Sequence, residues 1–478
     1  MTRQLYNCLC LLLIVLTGCY KDKGNYDLHP INELTITSTT PDTILLNQFD
    51  RIKVKVDIAQ TIPGEEYSYR WTAYSYLNVG RTNDTLGFGT AIDTIVRVNP
   101  GDYYLLFAAT GKKTGITTFK KFFMRVSSIY SEGWIVLDGE GSDQQLSLIR
   151  PDGSIMRNVY QTANGENLPA NGFRVRVLNT YLGDQDVFLL TKNGGVSMDY
   201  ISFRKQLNYQ NWFFQAPETI APSNIFYNKL GVAGFLINNG KVHYIPFSYT
   251  GPRRYGAPLE GDYVISPHVF PMMSSDNAIF FDTKYQRFLT HGNGKLTPLI
   301  SPAGSAFDLA NVGKTLVYAG ESNNDFHNCL FKDNNADKYY VYRINTSAAN
   351  IAAEKYEVAD APEIKDAKFF ASSGIYLQIY YAVGNRIYLL DIPAQKARLV
   401  YTFPAGVQIT AMRLKMAQGL LIQYPDNNRT ITVGALENNE GKVYSFSISN
   451  TGDFVNNTYS KVYTGFKKVI DLEYKNRK

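Results

Sequence analysis

The last three quarters of the chain repeat one pattern: a short apolar run, a turn, and a second run in which polar and apolar residues alternate. The clearest copies lie at residues 239–244, 384–389 and 440–445, where the turn leads into Lys-Val-His-Tyr, Arg-Ile-Tyr-Leu and Lys-Val-Tyr-Ser. Gly and Asn accept the backbone angles of tight turns between antiparallel strands. The pattern therefore predicts a series of β-hairpins.

One apolar position of the repeat can be followed along the chain at intervals of about 50 residues, the length of a four-stranded propeller blade. The positions are Leu146, Val196, Val242, Phe288, Tyr340, Ile387 and Val443. We expect each to lie on the third strand of its blade. The spacing predicts a seven-bladed β-propeller over residues 128–478.

The strands around these positions follow from the apolar runs. Residues 316–318 and 420–424 are expected to be second strands of the fifth and seventh blades, and residues 156–160 a fourth strand of the first blade. The alternating run at residues 469–474 has no strand after it, so we expect it to form the innermost strand of the first blade and close the ring. The alternative is that this run frays as a tail.

Residues 31–127 differ from the repeats. Roughly seven short alternating strands in about a hundred residues suit an immunoglobulin-like β-sandwich, in which Trp71 fills the core. The whole folded chain is thus predicted to be all-β, a sandwich followed by a propeller.

The N-terminus has the pattern of a secretory signal. Arg3 precedes an apolar run too short to span a bilayer, and residues 16–19 read Leu-Thr-Gly-Cys. This resembles a bacterial lipobox, which implies a signal peptide at residues 1–18, a diacylglycerol on Cys19 that anchors the chain in a membrane, and a lipidated tether at residues 19–30. The alternative is an ordinary signal in which Cys19 is incidental. Beyond Cys19 the chain keeps only Cys329, so no intramolecular disulfide is expected and Cys329 is predicted to be a buried apolar residue.

The order of these parts resembles a known family. Lipobox, tether Lys-Asp-Lys-Gly-Asn-Tyr at residues 21–26, a sandwich with a Tyr-x-Trp strand, and Glu-Gly-Trp-Ile-Val-Leu at residues 132–137 are similar to the PKD-like lipoproteins of Bacteroidetes. The resemblance implies an outer-membrane lipoprotein that faces the cell exterior. Its implied partners are a TonB-dependent transporter and a Sus-type surface lipoprotein, and its implied role is nutrient uptake.

Composition agrees with an all-β chain and excludes some functions. Aromatic residues are 14% and charged residues only 19% of the 478 residues, which suits half-buried pleated surfaces. The net charge of +6 contains no Lys/Arg run, so no nucleic-acid partner is expected. The five His residues lack zinc-ligand spacing and no nucleophile motif occurs, so we assign no catalytic residue, metal or cofactor.

Candidate ligand-binding residues lie in the irregular connections between blades. Second-to-third-strand turns and fourth-to-first-strand connections share one face, where a ligand is expected. The candidates are Tyr209, Trp212, Arg253, Arg254, Tyr255 and His268, with a long polar loop at residues 321–338. An exposed Trp can stack on a sugar, and paired Arg residues can bind carboxylate, phosphate or catecholate groups. The alternatives are that the aromatic residues pack between blades and that the Arg residues are solvated.

Three functions remain open. The first is a surface lipoprotein that binds a nutrient, a glycan or a metal chelate, for an uptake system. The second is an interaction scaffold of the transporter complex. The third is a propeller glycosidase or lyase, which needs two carboxylates near the channel mouth.

Overall fold

The computed structural model describes residues 32–48, 50–76, 84–98, 100–181, 183–248, 251–273, 276–416 and 424–477. The chain forms two compact units, Met1–Arg125 and Val126–Lys478. The predicted signal peptide, Cys19 and the tether lie outside the described residues.

The described residues of the N-terminal unit form nine strands, two more than predicted. They are β1 Leu34–Thr37, β2 Thr43–Asn47, β3 Arg51–Lys55, β4 Asp57–Gln60, β5 Tyr67–Ser75, β6 Asp84–Gly87, β7 Ala91–Ile95, β8 Gly101–Gly111 and β9 Thr117–Ser127. A five-stranded sheet has the order β2-β9-β8-β5-β6, and two strand pairs, β1-β4 and β3-β7, complete the unit. Trp71 is fully buried against Phe107 and Phe122, and its indole N–H donates to the Gly89 carbonyl at 3.0 Å. The prediction that Trp71 is a core residue is confirmed.

The described residues of the C-terminal unit form seven antiparallel sheets. Their strands, sheet by sheet, are β10 Gly133–Asp138, β11 Gln145–Ile149 and β12 Ile155–Met156; β13 Gly172–Asn179, β14 Gln185–Thr191, β15 Gly194–Asp199 and β16 Lys205–Asn208; β17 Pro222–Tyr227, β18 Gly234–Asn238 and β19 Lys241–Ile245; β20 Ile265–Pro271, β21 Ala278–Asp282, β22 Arg287–Gly292 and β23 Lys295–Pro298; β24 Lys314–Glu321, β25 Phe326–Asp333, β26 Tyr339–Asn345 and β27 Ala352–Val358; β28 Phe369–Ser372, β29 Gln378–Val383, β30 Arg386–Asp391 and β31 Lys396–Thr402; β32 Gln408–Leu414, β33 Thr430–Glu437, β34 Glu440–Ser447 and β35 Lys461–Phe466. One last strand, β36 Val469–Lys475, returns to the first sheet. Helix α1 is Val159–Asn164, and short 3₁₀ turns occur at Tyr209–Trp212, Ile364–Asp366 and Val455–Asn457.

The predicted repeat matches these sheets. Each of the seven apolar anchors lies on the third strand of a different sheet. The turn between β18 and β19 contains Asn239 and Gly240 with φ of 50° and 68°, the left-handed angles that a two-residue hairpin turn requires. The hairpin prediction is confirmed at this copy.

The sheets pack face to face around a ring. Buried apolar clusters lie between each sheet and the next, and a further cluster joins the seventh sheet to the first. The inner strands β36, β13, β17, β20, β24, β28 and β32 neighbour one another in that order. The C-terminal unit is therefore a closed β-propeller whose inner strands surround a central channel.

The C-terminal strand closes the ring as predicted. β36 pairs antiparallel with β10, with Trp134 opposite Tyr474 and Val136 opposite Leu472. Val469 and Leu472 are fully buried between the seventh and first sheets. The alternative of a frayed tail is wrong.

Three sequence predictions within the propeller are wrong. Residues 316–318 belong to β24, a first strand, and the second strand of the fifth sheet is β25, which occupies residues 326–333 in the middle of the expected polar loop at 321–338. The polar residues of β25 suggested a loop, but the fold buries them: Asn328 donates to Ser372 Oγ at 2.8 Å and accepts from Arg343 Nε at 2.9 Å. Cys329, also on β25, is buried as predicted, and its burial raises the pKa of its thiol.

The other two errors concern strand ends. The second strand of the seventh sheet is β33, not residues 420–424, of which 420–423 lie outside the described residues. The expected fourth strand at 156–160 is reduced to the two-residue β12, after which the chain turns into α1. Val159 and Tyr160 of this helix are buried against the first two sheets, so apolar residues expected in a strand pack from a helix instead.

Candidate functional site

The predicted aromatic site residues lie in the protein interior. Tyr209, Trp212 and Tyr255 are buried in the apolar cluster between the second and third sheets, and Trp212 is only 3% exposed. The ring centroids of Tyr209 and Trp212 are 5.0 Å apart, and the Tyr255 N–H donates to the Trp212 carbonyl at 2.7 Å. The expected exposure of Trp212 is therefore wrong, and the alternative, packing between blades, describes its position.

The remaining predicted residues lie in different places. Arg253 is exposed, with its guanidinium 4.7 Å from the Tyr227 ring centroid, and Arg254 is exposed beside it. His268 lies away from both, on the inner strand β20, where Ala319 N lies 3.3 Å from its Nδ1 atom. The structure thus brings Arg253 near the aromatic cluster and places His268 in the channel.

A cavity of about 200 Å³ lies at one mouth of the channel. Its lining includes the last residues of the first strands, among them Asn179, Tyr227, Pro271, Glu321, Leu414 and Tyr474. It therefore opens where first strands end and second strands begin. The long loops in the sequence predicted a ligand at the opposite ends of these strands, whereas the ends of the first strands form this cavity.

Charged side chains at the rim of the cavity are paired with one another. The Lys229 amino group lies 2.7 Å from a Glu321 carboxylate oxygen and 2.6 Å from an Asp325 carboxylate oxygen. The hydrogen bond from Lys229, with a second from Ser347, lowers the pKa of Asp325. The Asp325 carboxylate is therefore held in the ionised form.

Along the same channel the C-terminal strand supplies two carboxylates to two arginines. Asp471 lies 3.1 Å from Arg413 and also accepts the Val175 N–H at 2.9 Å, while Glu473 lies 3.3 Å from Arg176. These contacts join β36 to β13 and β32, its neighbours on either side. The strand that closes the ring thus also supplies the carboxylates that pair with these two arginines.

Arg174 and His268 complete the channel wall. Burial lowers the pKa of Arg174 to about 10, although Asp471 acts in the opposite direction. Burial and the nearby charge of Arg174 lower the pKa of His268 to about 4, so His268 is neutral at pH 7.

The arginine and carboxylate residues of the channel were not among the predicted site residues, because they lie on strands and not in the irregular connections. A usable signal was present: charged residues at alternate positions of otherwise apolar strands, Arg174 and Arg176 on β13 and Asp471 and Glu473 on β36. Alternate residues of a strand point the same way. Like charges at such positions indicate a shared polar lumen rather than a solvated surface.

A buried histidine beside the rim makes stability depend on pH. Neither ring nitrogen of His327 has a hydrogen-bond partner among the described residues, and burial lowers its pKa to about 4 from the usual 6.5. Between these pH values the unfolded chain binds more protons than the folded one, so stability falls as pH falls. We expect His327 to contribute about 2 kcal/mol of destabilisation between pH 7 and pH 5.

Urea unfolding of the wild type and His327→Gln at both pH values measures this contribution. The difference between the two pH values is expected to be smaller by about 2 kcal/mol in the variant. His268 is unchanged in both proteins and serves as a common background. An identical pH difference in the two proteins would show that His327 has the same pKa in the folded and the unfolded chain, so that its ring is protonated at pH 5 in both.

The described residues lack metal-ligand groups and membrane-spanning helices. They contain no group of three or more His, Cys, Asp or Glu side chains able to hold a metal ion. None of the helices in this part of the chain is long and apolar enough to cross a membrane.

Comparison with known proteins gives one family match. Residues 19–171 match the PKD-like family. The matched segment covers most of the N-terminal unit and the start of the propeller. No curated protein sequence matches the chain at a significant level. The N-terminal unit is a PKD-like domain, and a β-propeller follows it.

Solved structures with a similar fold include propellers of several kinds. A quinoprotein alcohol dehydrogenase-like protein from Bacteroides thetaiotaomicron is 11% identical, with 92% of this chain and 99% of that chain covered and a TM-score of 0.46. The extracellular domain of a one-component system from the same organism is 9% identical, with 88% and 68% covered and a TM-score of 0.36. The WD40 domain of SCAP from fission yeast is 9% identical, with 62% and 74% covered and a TM-score of 0.37.

Proposed function

We propose that this protein is a surface-anchored lipoprotein that binds a glycan at the mouth of its propeller channel and assists an uptake system. The observation that carries the proposal is the composition of the mouth cavity. Its lining combines the aromatic residues Tyr227 and Tyr474, the amide residues Asn179, Gln185 and others, and charged residues that are paired with one another. Amides and paired charges bind hydroxyl groups, and aromatic rings pack against sugar faces.

The charge of the rim favours a glycan over a metal chelate. One lysine faces two carboxylates at the rim, Lys229 against Glu321 and Asp325. A chelate that carries several negative charges needs an excess of cations to offset its desolvation. A hydroxyl-rich ligand needs only donors and acceptors, which this rim supplies.

The same pairing favours binding over glycoside hydrolysis. A glycosidase needs one protonated carboxyl group and a second carboxylate free to act as nucleophile or base. Four carboxylates at the mouth and in the channel each lie within 4 Å of a lysine or arginine: Glu321, Asp325, Asp471 and Glu473. A carboxylate held by a cation is a poor proton donor.

Anchoring and partners extend the proposal to the chain outside the described residues. A lipid on Cys19 would place the protein on the outer membrane, and the PKD-like match supports the resemblance to surface lipoproteins on which this address rests. A TonB-dependent transporter and a Sus-type surface lipoprotein are the proposed partners.

The scaffold alternative has weaker support, since the exposed apolar residues of the fourth strands, such as Leu207, Leu399 and Val462, lie on three different sheets.

A bulky residue at the mouth tests the binding site. Met416 lines the cavity and is half-buried. Met416→Trp is expected to weaken binding of a glycan at least tenfold, because the indole fills space that the sugar needs, while the ion pairs stay intact. Full-length protein in detergent micelles would be screened against neutral glycans, acidic glycans and ferric chelates, and each hit measured by calorimetry.

Ile300→Trp is the matched control, because Ile300 is 86% exposed and does not line the cavity. It should keep wild-type affinity. Equal affinity of Met416→Trp and wild type would reject the mouth as the site. If the protein bound ferric chelates and no glycan, the proposed ligand would be a metal chelate instead of a glycan.

A further inference from the structure

The Arg174 side chain lies inside the channel. It donates a hydrogen bond to the Ser223 carbonyl on β17 at 3.0 Å. It is also close enough to His268 on β20, Arg413 on β32 and Asp471 on β36 to interact electrostatically with each. Strands β20 and β32 lie on opposite sides of β13 in the inner ring, so only a side chain in the lumen approaches both.

Arg174 lacks the carboxylate partner that its neighbours have. Among the described residues no Asp or Glu oxygen lies within 4.0 Å of its guanidinium, whereas Arg176 and Arg413 have Glu473 and Asp471 at 3.3 and 3.1 Å. The Ser223 carbonyl takes one of its five N–H donors. The half-buried Arg174 guanidinium is thus charged and has no counter-ion from this part of the chain.

A neighbouring donor is also unused. The Nε atom of Arg176 is buried and has no hydrogen-bond partner among the described residues. Arg176 lines the mouth cavity, and Arg174 lies two residues earlier on the same strand. Alternate residues of a strand face the same side, so both guanidinium groups serve one lumen.

The charges of the channel do not cancel. Three arginines, Arg174, Arg176 and Arg413, face two carboxylates, Asp471 and Glu473, which leaves 3 − 2 = +1. His268 adds no charge at pH 7 because its pKa is about 4. A desolvated positive charge is costly unless an anion compensates it.

We propose that the channel below the mouth binds one oxyanion through Arg174 and Arg176, so that the ligand is a glycan with an acidic group, a uronic acid carboxylate or a sulfate ester. A guanidinium presents paired N–H donors whose spacing matches the oxygens of either group. The sugar ring occupies the rim, where Lys229 is paired with Glu321 and Asp325, and the acidic group reaches the excess positive charge of the three arginines. This inference rests on the proposed glycan-binding function and adds the class of glycan.

Matched sugar pairs test the inference on the full-length protein in detergent micelles. The probes are galactose with galacturonate and galactose 6-sulfate, glucose with glucuronate, and inorganic phosphate as a free oxyanion, each titrated by calorimetry at low salt. Wild type is expected to bind at least one acidic sugar at least tenfold more tightly than its neutral partner. Arg174→Gln is expected to reduce this ratio to about one, and Arg174→Lys to an intermediate value, because Lys keeps the charge and loses the paired donors.

Arg254→Gln is the matched control, since Arg254 is exposed and does not line the cavity; it should retain the wild-type ratio. Near-UV circular dichroism and the melting temperature verify that each variant is folded. If Arg174→Gln is unfolded, the affinity ratio of Arg174→Lys tests the site in its place. A preference for the sulfated over the carboxylated sugar, or the reverse, identifies which oxyanion the channel takes.

The outcomes separate the two proposals. Equal binding of neutral and acidic sugars by wild type overturns the oxyanion site and leaves the glycan function standing. Binding of phosphate that Arg174→Gln abolishes, with no sugar bound, supports the oxyanion site and overturns the glycan function. Binding of neither sugars nor phosphate overturns both.

Discussion

Removal of residues 467–478 is expected to abolish cooperative folding of the propeller. The deletion takes away β36, which buries Val469 and Leu472 completely between the seventh and first sheets. It also leaves β10 with an unpaired edge and leaves Arg413 and Arg176 without their carboxylates. Burial of the two apolar side chains alone stabilises the fold by about 3–6 kcal/mol, and an unpaired buried charge costs several more.

A point substitution gives a graded form of the same experiment. Leu472→Ala is expected to lower the free energy of unfolding by about 2–5 kcal/mol, because it leaves a cavity between the seventh and first sheets. Val462→Ala, at a 40% exposed position on β35, is the control and should change stability by less than about 1 kcal/mol. Urea unfolding followed by near-UV circular dichroism measures both, and an unchanged melting temperature of the truncated chain would contradict the role of β36 in closing the ring.

Trp212→Ala is expected to lower the free energy of unfolding by about 3–5 kcal/mol, the usual cost of removing a buried Trp. The indole packs against Phe188 and Tyr209, with ring centroids at 5.2 and 5.0 Å, in the interface between the second and third sheets. Its loss therefore leaves a large cavity between two blades. Denaturant unfolding at pH 7 is the measurement.

Phe214→Ala is the natural control for Trp212→Ala. Phe214 lies two residues further along the same run but is 57% exposed, so its truncation should cost less than about 1 kcal/mol. If Trp212→Ala instead lost glycan binding with no change in stability, the ring would have to be accessible to ligands, and stacking on Trp212 would become the better explanation.

Propeller architecture was predictable because it depends on local spacing. A hairpin turn such as Asn239-Gly240 is specified by the backbone preferences of two residues, and recurrence at about 50 residues is visible without knowing which strands meet. The strand order at Leu316 was not predictable in the same way. The polar residues of β25 are typical of a loop, and only its pairing with both β24 and β26 identifies it as the second strand of the sheet.

The candidate site was mostly not predictable. Trp212 in a loop-like run looks the same in sequence whether it is exposed or buried, since burial depends on the neighbouring sheet. The excess charge at Arg174 is likewise a property of the ring, because its neighbours Ser223, Arg413 and Asp471 are 49, 239 and 297 residues away along the chain. No pattern within one strand shows which arginine remains without a carboxylate.

By itself the sequence determined the all-β class, the sandwich before the propeller, the third strand of each sheet and the joint made by residues 469–474, because turn chemistry and alternation act between residues close in the chain. Only the tertiary structure decided which end of the channel carries the cavity, which aromatic residues are buried and which charges are paired. Those properties arise where inner strands from different repeats meet around one lumen, and the distance between such strands depends on closure of the whole ring.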